Sequence, residues 1–239
     1  MRIVISQPMY FPWVGLLEQL RLSDIFVHYD DVQFARGFYN RVEVKTKDGM
    51  RWMTVPLQKV RRGNHLTEIV PDNSKNWRDE HRRILSSAYA KAPFYEDMMD
   101  LFDRASCIPA ESIADISRAS TMVLAEYFGL DKGRAFINSS TLGVSGTSSR
   151  RLLDICLHLG GTEYITGHGA QNYLDHSLFE EKRIAVEYMN YLCRPYPQAH
   201  PPFTPYVTSL DLVANCGRDG LQYICSGTLR WKEFLDESK

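Results

Sequence analysis

Apolar runs of strand length alternate with helical periodicity through much of the chain. Ile3-Val4-Ile5 and Ile25-Phe26-Val27 are short continuous apolar stretches, and between them Val14, Leu17, Leu20 and Leu22 recur at helical spacing. Strand, loop, helix, strand is the start of an α/β unit. Val42-Glu43-Val44-Lys45 and the run from Trp52 to Leu57 then alternate on either side of Lys47-Asp48-Gly49, which predicts a β-hairpin. In the middle third Trp77, His81, Ile84, Leu85 and Ala88 keep helical spacing until Pro93, with Asn73 or Ser74 as the expected cap; helices over 95–104 and 110–128 follow, the last closed by Gly129. After that the α/β order returns. A strand is expected over 135–138, a helix entered through 144–149 and ended by Gly160-Gly161, and strands over 163–166 and 184–188. The pattern predicts a Rossmann-like α/β fold with a mainly parallel sheet, a β-hairpin and a helical middle segment. One domain spans 1–239, with 74–130 as a helical insertion or subdomain.

In parallel sheets ligands sit beyond the carboxyl ends of the strands, a rule that selects the loops after Ile5, Tyr29, Asn138 and Thr166. The first of these is unusual for a chain reversal. It carries Gln7, Pro8, Tyr10, Phe11, Pro12 and Trp13, where a plain turn would use Gly, Asn or Asp. Gln7 both donates and accepts, and beside the phenol of Tyr10 and the indole of Trp13 it suits a sugar or a nucleobase; the same aromatics would also suit closure of the core. Asp30-Asp31, at the end of the second strand, are candidates for acid/base work or for oxygen ligation of a divalent ion. Neighbours on a strand face opposite ways, so one of the two is expected to face Gln7, with Asp30 favoured.

Asn40-Arg41 opens the hairpin, and a guanidinium there could clamp a carboxylate or phosphate. Ser148, Ser149 and Arg150 stand, with Arg151 beside them, at a helix start whose free amides, hydroxyls and two arginines suit an anion, and they also read as ordinary capping. His168 lies between Gly167 and Gly169 directly after a strand, and Tyr173 follows in the same loop. Asp30, His168 and Tyr173 are the expected catalytic groups; Gln7, Tyr10, Trp13, Asp31, Asn40 and Arg41 are the expected substrate-binding groups.

Composition narrows the classes. The 239 residues are 44% hydrophobic with a formal net charge of -1, an ordinary globular balance, and neither a signal peptide nor an apolar run of membrane-spanning length is visible. A cytoplasmic chain is expected, without nucleic acid as partner and without membrane insertion. Five cysteines without close paired spacing argue against a disulfide framework and a zinc site. The even charge hides a basic block. Residues 34–83 hold twelve Lys and Arg against six acids, whereas 96–131 hold eight acids against Arg104 and Arg118. That block suits a phosphate- or nucleotide-bearing substrate, or it is simply a solvated face balanced by the acidic one. GxSxG, Walker, paired CxxC and HExxH patterns are all missing, so serine hydrolase, P-loop and zinc protease chemistry has no support.

The run from Ser6 to Gly15, Asp30 to Phe34, Asn40-Arg41, Tyr164 to Gly167 with Tyr173-Leu174, Pro202 to Pro205, Ser209 to Leu212 and Asn215-Cys216-Gly217 resemble the WbqC-like family, in order through nearly the whole chain. The resemblance implies a place in surface-polysaccharide (O-antigen) assembly. The implied activity is a transferase acting on an activated sugar or its acyl or aminoacyl substituent, with a small-molecule or nucleotide-linked sugar as substrate and an acyl carrier protein as a further candidate partner. Ser6 and Cys193 depart from the expected pattern, which has histidine at both places. A looser resemblance, of topology only, is to the HIGH-motif nucleotidyltransferases, including pantoate–β-alanine ligase. It implies ATP-dependent adenylate-forming or nucleotidyl-transferring chemistry with Mg and a nucleotide, although the paired histidines of that motif are missing. A non-catalytic binding protein of a glycan assembly complex is the third expectation.

Overall fold

The computed structural model describes residues 1–35 and 37–237, so Arg36 of the basic block lies outside the described residues. A six-stranded sheet is built from β1 (Arg2–Ser6), β2 (Ile25–His28), β5 (Ala135–Asn138), β6 (Glu163–Thr166), β7 (Ala185–Asn190) and β8 (Gly227–Arg230). Its order is β5-β2-β1-β6-β7-β8, with every pairing parallel except β7 with β8. The antiparallel β3 (Arg41–Thr46) and β4 (Gly49–Thr54) form the separate expected hairpin. The mixed α/β, mainly parallel, Rossmann-like architecture is therefore present.

Side-chain alternation gives the sheet two faces. Val4, Phe26, Ile165 and Met189 point into one buried cluster, shared with α1 (Val14–Leu22), the hairpin, α2 (Trp77–Tyr89), α3 (Tyr95–Cys107), α4 (Ile113–Tyr127) and α7 (Ser209–Cys216). Ile3, Ile5, Val27, Tyr164, Val186 and Tyr188 point the other way, toward α5 (Ser148–His158), α6 (His176–Glu181) and α8 (Trp231–Glu237). Strands buried on both faces explain why β1 and β2 read as unbroken apolar runs.

Local chemistry shifts some boundaries. Asn73 and Ser74 do not cap α2: Asn73 Oδ1 accepts from Trp77 Nε1 and Arg78 Nη1, Ser74 closes a turn on Asp72, and the helix begins at Trp77 after Asn76. For α4 the cap is Ser112, whose hydroxyl accepts from Asp115 N while Asp115 accepts from Ser112 N. Residues 191–208 carry no regular structure and cross the molecule as a strap. Lys45 Nζ donates to Gln198 Oε1 (2.8 Å) and to the Pro202 carbonyl, and His200 Nε2 donates to Ala88 O, so the strap is tied to the hairpin and α2.

Candidate functional site

The strand order reverses across β1 and β6, so the chains leaving their carboxyl ends part in opposite directions. A cleft of about 1100 Å³ opens at that place. Its walls come from the residues after β1 (Gln7, Trp13), after β2 (Tyr29, Asp31), after β6 (Gly167, His168, Tyr173), after β7 (Tyr191, Cys193) and from the start of α5 (Thr147, Ser148, Arg151). The residues after Asn138 serve from behind: the Ser139 hydroxyl sits 2.5 Å from Asp31 Oδ1 and 3.1 Å from Asp30 Oδ1.

Of the two aspartates it is Asp31 that lines the cleft. Asp30 is 1% exposed and fully engaged, accepting from Ser140 N (3.0 Å), Ser140 Oγ (3.0 Å) and Arg118 Nη1 (3.2 Å), so its carboxylate does not reach a ligand and instead anchors the loop. Asp31 accepts from Arg151 Nη2, whose guanidinium is almost fully buried and also donates from Nε to Val144 O. Burial works to raise the Asp31 carboxyl. Hydrogen bonds from Arg151 and Ser139 and the guanidinium charge outweigh it and hold the carboxyl below its ordinary pKa, so Asp31 is an ion-pair partner and a weak base.

His168 is better placed for proton transfer. Its Nε2 lies 2.7 Å from the Met189 carbonyl, which only accepts, so Nε2 carries a proton and Nδ1 is the nitrogen left to accept one. Tyr191 and Phe234 hold the ring at centroid distances of 5.0 and 4.8 Å. A backbone carbonyl fixing one nitrogen while the other accepts is the arrangement a general base requires. Tyr173 also lines the cleft, half exposed; burial first, then Tyr29 and Tyr39 beside it, raise its phenol, so it stays protonated and donates. Tyr191 is pushed up to about 12, chiefly by burial, and is a donor for the same reason.

At the α5 end Ser148 has φ 53, an uncommon left-handed conformation for serine, and Thr147 provides no side-chain cap, so the first amides of the helix are left for a ligand. Ser149 is turned inward: it donates to Tyr173 O and accepts from Asp175 N, joining the helix start to the His168 loop. Arg150 points along its own helix to Asp154 and does not line the cleft; Arg151 takes its place.

A ring-binding wall stands opposite. Trp13 packs at 5.0 Å from Tyr191 and 5.5 Å from Tyr206, and lies so close over Gly15 that a Cβ there would be 2.2 Å from the indole. Gly167 is packed less closely: a Cβ there would lie 3.2 Å from Gln19 Nε2 and 3.3 Å from Tyr191 Oη, the pair joined by a hydrogen bond from Gln19 to Tyr191. Tyr10 is not part of this wall. It is 2% exposed and donates to His81 Nδ1, whose Nε2 donates to Thr54 O, so the phenol closes the core. Asn40 is buried against Val55 O, and Arg41 stacks on Trp52 over the hairpin; both line a second groove rather than the cleft. The cleft thus unites Gln7, Trp13, Asp31, Ser148, His168 and Tyr173 from the expected set and leaves out Tyr10, Asp30, Asn40, Arg41, Ser149 and Arg150.

Tyr191, Gln19 and Tyr206 were not among the expected site residues, and of the two arginines at the α5 start Arg150 rather than Arg151 was the expected phosphate group. Tyr191 follows β7 and was reachable by the same carboxyl-end rule. Gln19 sits in a helix and Tyr206 in the irregular strap, and no local pattern marks either one.

Known proteins resemble this chain over nearly its whole length. The family model described as the WbqC-like protein family matches residues 7–223. A protein of Mycobacterium tuberculosis, "Uncharacterized protein Rv1507c", is 31% identical over 229 residues, covering 93% of this chain and 97% of that protein. No solved structure matches.

Proposed function

We propose that this chain, which belongs to the WbqC-like protein family, is a cytoplasmic transferase acting on an activated sugar, or on its acyl or aminoacyl substituent, in surface-polysaccharide assembly. The biological setting rests on the family resemblance. The observation that carries the chemistry is one cleft holding His168, whose Nδ1 has no hydrogen-bond partner among the described residues, together with a helix start without a side-chain cap and Arg151. A cleft of about 1100 Å³ matches a nucleotide-linked sugar in size.

In this reading the α5 amides and Arg151 hold the phosphate of the donor, and Trp13 with Tyr191 supports a ring. His168 Nδ1 takes the proton of an acceptor hydroxyl or amine as that atom bonds to the transferred carbon. The bond to the leaving group breaks, and its electron pair passes to an oxygen facing the helix start. Asp31 sets the position of Arg151. It is the one carboxylate lining the cleft among the described residues and is already ion-paired, so the donor set does not fit a dedicated magnesium site, and no step runs through a metal.

A thermal-shift panel of nucleotide sugars, acyl carriers and ATP with magnesium tests this. A nucleotide sugar at about a hundred times its Kd adds about 2.7 kcal/mol of stability, which raises Tm by several degrees. Arg151→Ala removes the shift, while His168→Ala keeps the shift and lowers turnover by about 100-fold or more. A shift with ATP and magnesium alone would move the assignment to nucleotidyl transfer. Full turnover in His168→Ala would remove the proposed base.

A further inference from the structure

The basic block singled out in the sequence does not enter the cleft, and its placement calls for another partner. In β4 every residue except Met53 is exposed. Pairing explains which way each side chain faces. Met53 stands opposite Val42 and points with Val42 and Val44 into the core, so Met50 and Trp52, two residues apart, project from the other face. Phe38 lies 6.1 Å from Trp52, and a groove of about 410 Å³ runs beside them, lined by Phe34, Val55, Leu57 and Val60. Phe38, Met50, Trp52 and Val60 are each 39–46% exposed, a local concentration of large apolar side chains on the outer surface.

Cations surround them. Residues 41–62 hold seven Lys and Arg against Glu43 and Asp48. Among the described residues Arg41, Lys47, Lys59, Arg61 and Arg62 make no ion pair, whereas farther along Arg82 pairs with Asp103. In the hairpin itself Arg51 pairs with Glu80, and those other five cations are left without an acidic partner among the described residues. We infer that this hairpin surface docks on an anionic lipid bilayer, with Trp52, Phe38 and Met50 entering the interfacial layer and the flanking cations meeting lipid phosphates. Tryptophan beside arginine and lysine is the composition that suits the bilayer interface, with the cations reaching headgroups over apolar stems. A single-stranded nucleic acid fits less well, because the Arg41 guanidinium already covers a Trp52 face at 4.3 Å from the ring centre. The docked chain lies on the membrane without crossing it; no helix among the described residues is long and apolar enough to do so.

The described residues between β2 and β3 join this surface to the cleft, since Val32 and Tyr39 line the cleft while Phe34 and Asn40 line the groove. Docking would bring the cleft mouth close to substrates carried at a bilayer.

The test is sedimentation of the full chain with vesicles of phosphatidylcholine mixed with phosphatidylglycerol, and with phosphatidylcholine alone. The chain is expected to bind the mixed vesicles only, more weakly as salt rises. The triple variant Lys59→Gln, Arg61→Gln, Arg62→Gln loses on the order of a hundredfold in affinity, since each surface cation contributes about fivefold. Trp52→Phe keeps binding but loses the blue shift in tryptophan emission that accompanies it. These substitutions sit on exposed positions, and circular dichroism confirms folding. No sedimentation of the folded chain with anionic vesicles, or equal binding by the triple variant, overturns the inference. Binding to polyglutamate without binding to vesicles also overturns it and assigns the surface to an acidic protein. Each outcome is read independently of turnover in the cleft.

Discussion

His28 lies at the end of β2, 1% exposed, between the rings of Phe26 and Phe136, and neither of its nitrogens has a hydrogen-bond partner among the described residues. Burial, with the nearby Arg118 charge, pushes its pKa down to about 3, and burial similarly leaves His81 at about 4. The unfolded chain takes up these protons near the ordinary histidine value. The unfolded state therefore binds more protons than the folded one between about pH 6.5 and the folded values, and stability falls as pH drops through that window. Urea titrations are expected to lose about 2–3 kcal/mol per histidine, at most, between pH 6.5 and 4.5. His28→Leu flattens that slope; an unchanged slope would show that His28 is protonated in the folded chain. The same reasoning separates Asp30 from Asp31. Both are acids at a strand end, but one is spent on Ser140 and Arg118 and the other reaches the cleft.

At the scale of elements, α5 is the most consequential. Its first residue, Ser148, holds a left-handed backbone at φ 53, which costs a non-glycine residue about 1–2 kcal/mol. Ser148→Gly relieves that strain but makes the unfolded chain more flexible, so the net gain is from a few tenths to about 1 kcal/mol, a Tm rise of about 1–3 °C. The same change loosens the amides that face a phosphate, and nucleotide affinity is expected to fall even as Tm rises. Calorimetry on the variant reads both; equal affinity with higher Tm would mean the strained turn has no part in binding. β4 is the other instructive element, since its alternation is regular yet one face of it is left to solvent.

At the scale of the whole molecule, the sheet positions the cleft and the strap of 191–208 closes its side. Lys45 is the tie: burial lowers its pKa, against the pull of Asp211, and its ammonium holds Gln198 and Pro202. Lys45→Met is expected to cost about 1–3 kcal/mol and to raise hydrogen exchange across 198–208. Because Tyr206 and Cys193 line the cleft from that strap, ligand affinity falls as well. Exchange confined to the hairpin would show that the strap is held by its other contacts.

The sequence by itself determined most of the element order as far as β7, since unbroken apolar runs, helical spacing and the Lys47-Asp48-Gly49 turn are local patterns that local physics reads directly, whereas α6, α7, β8 and α8 were not read from it. It also marked the glycine-flanked His168 and the loop of Gln7 and Trp13, because carboxyl ends of parallel strands are where sites form. The tertiary structure alone decided which members of each motif face the cleft. Tyr10 against Trp13, Asp30 against Asp31 and Arg150 against Arg151 are near neighbours of similar chemistry, and only the packing of α2, α4 and α5 puts one of each on the cleft, while Tyr10 and Asp30 turn into the core and Arg150 lies out on its helix against Asp154. Residues 191–208 were illegible for the same reason: the strap has no periodicity of its own, and its course is set by Lys45 and Ala88, more than a hundred positions away.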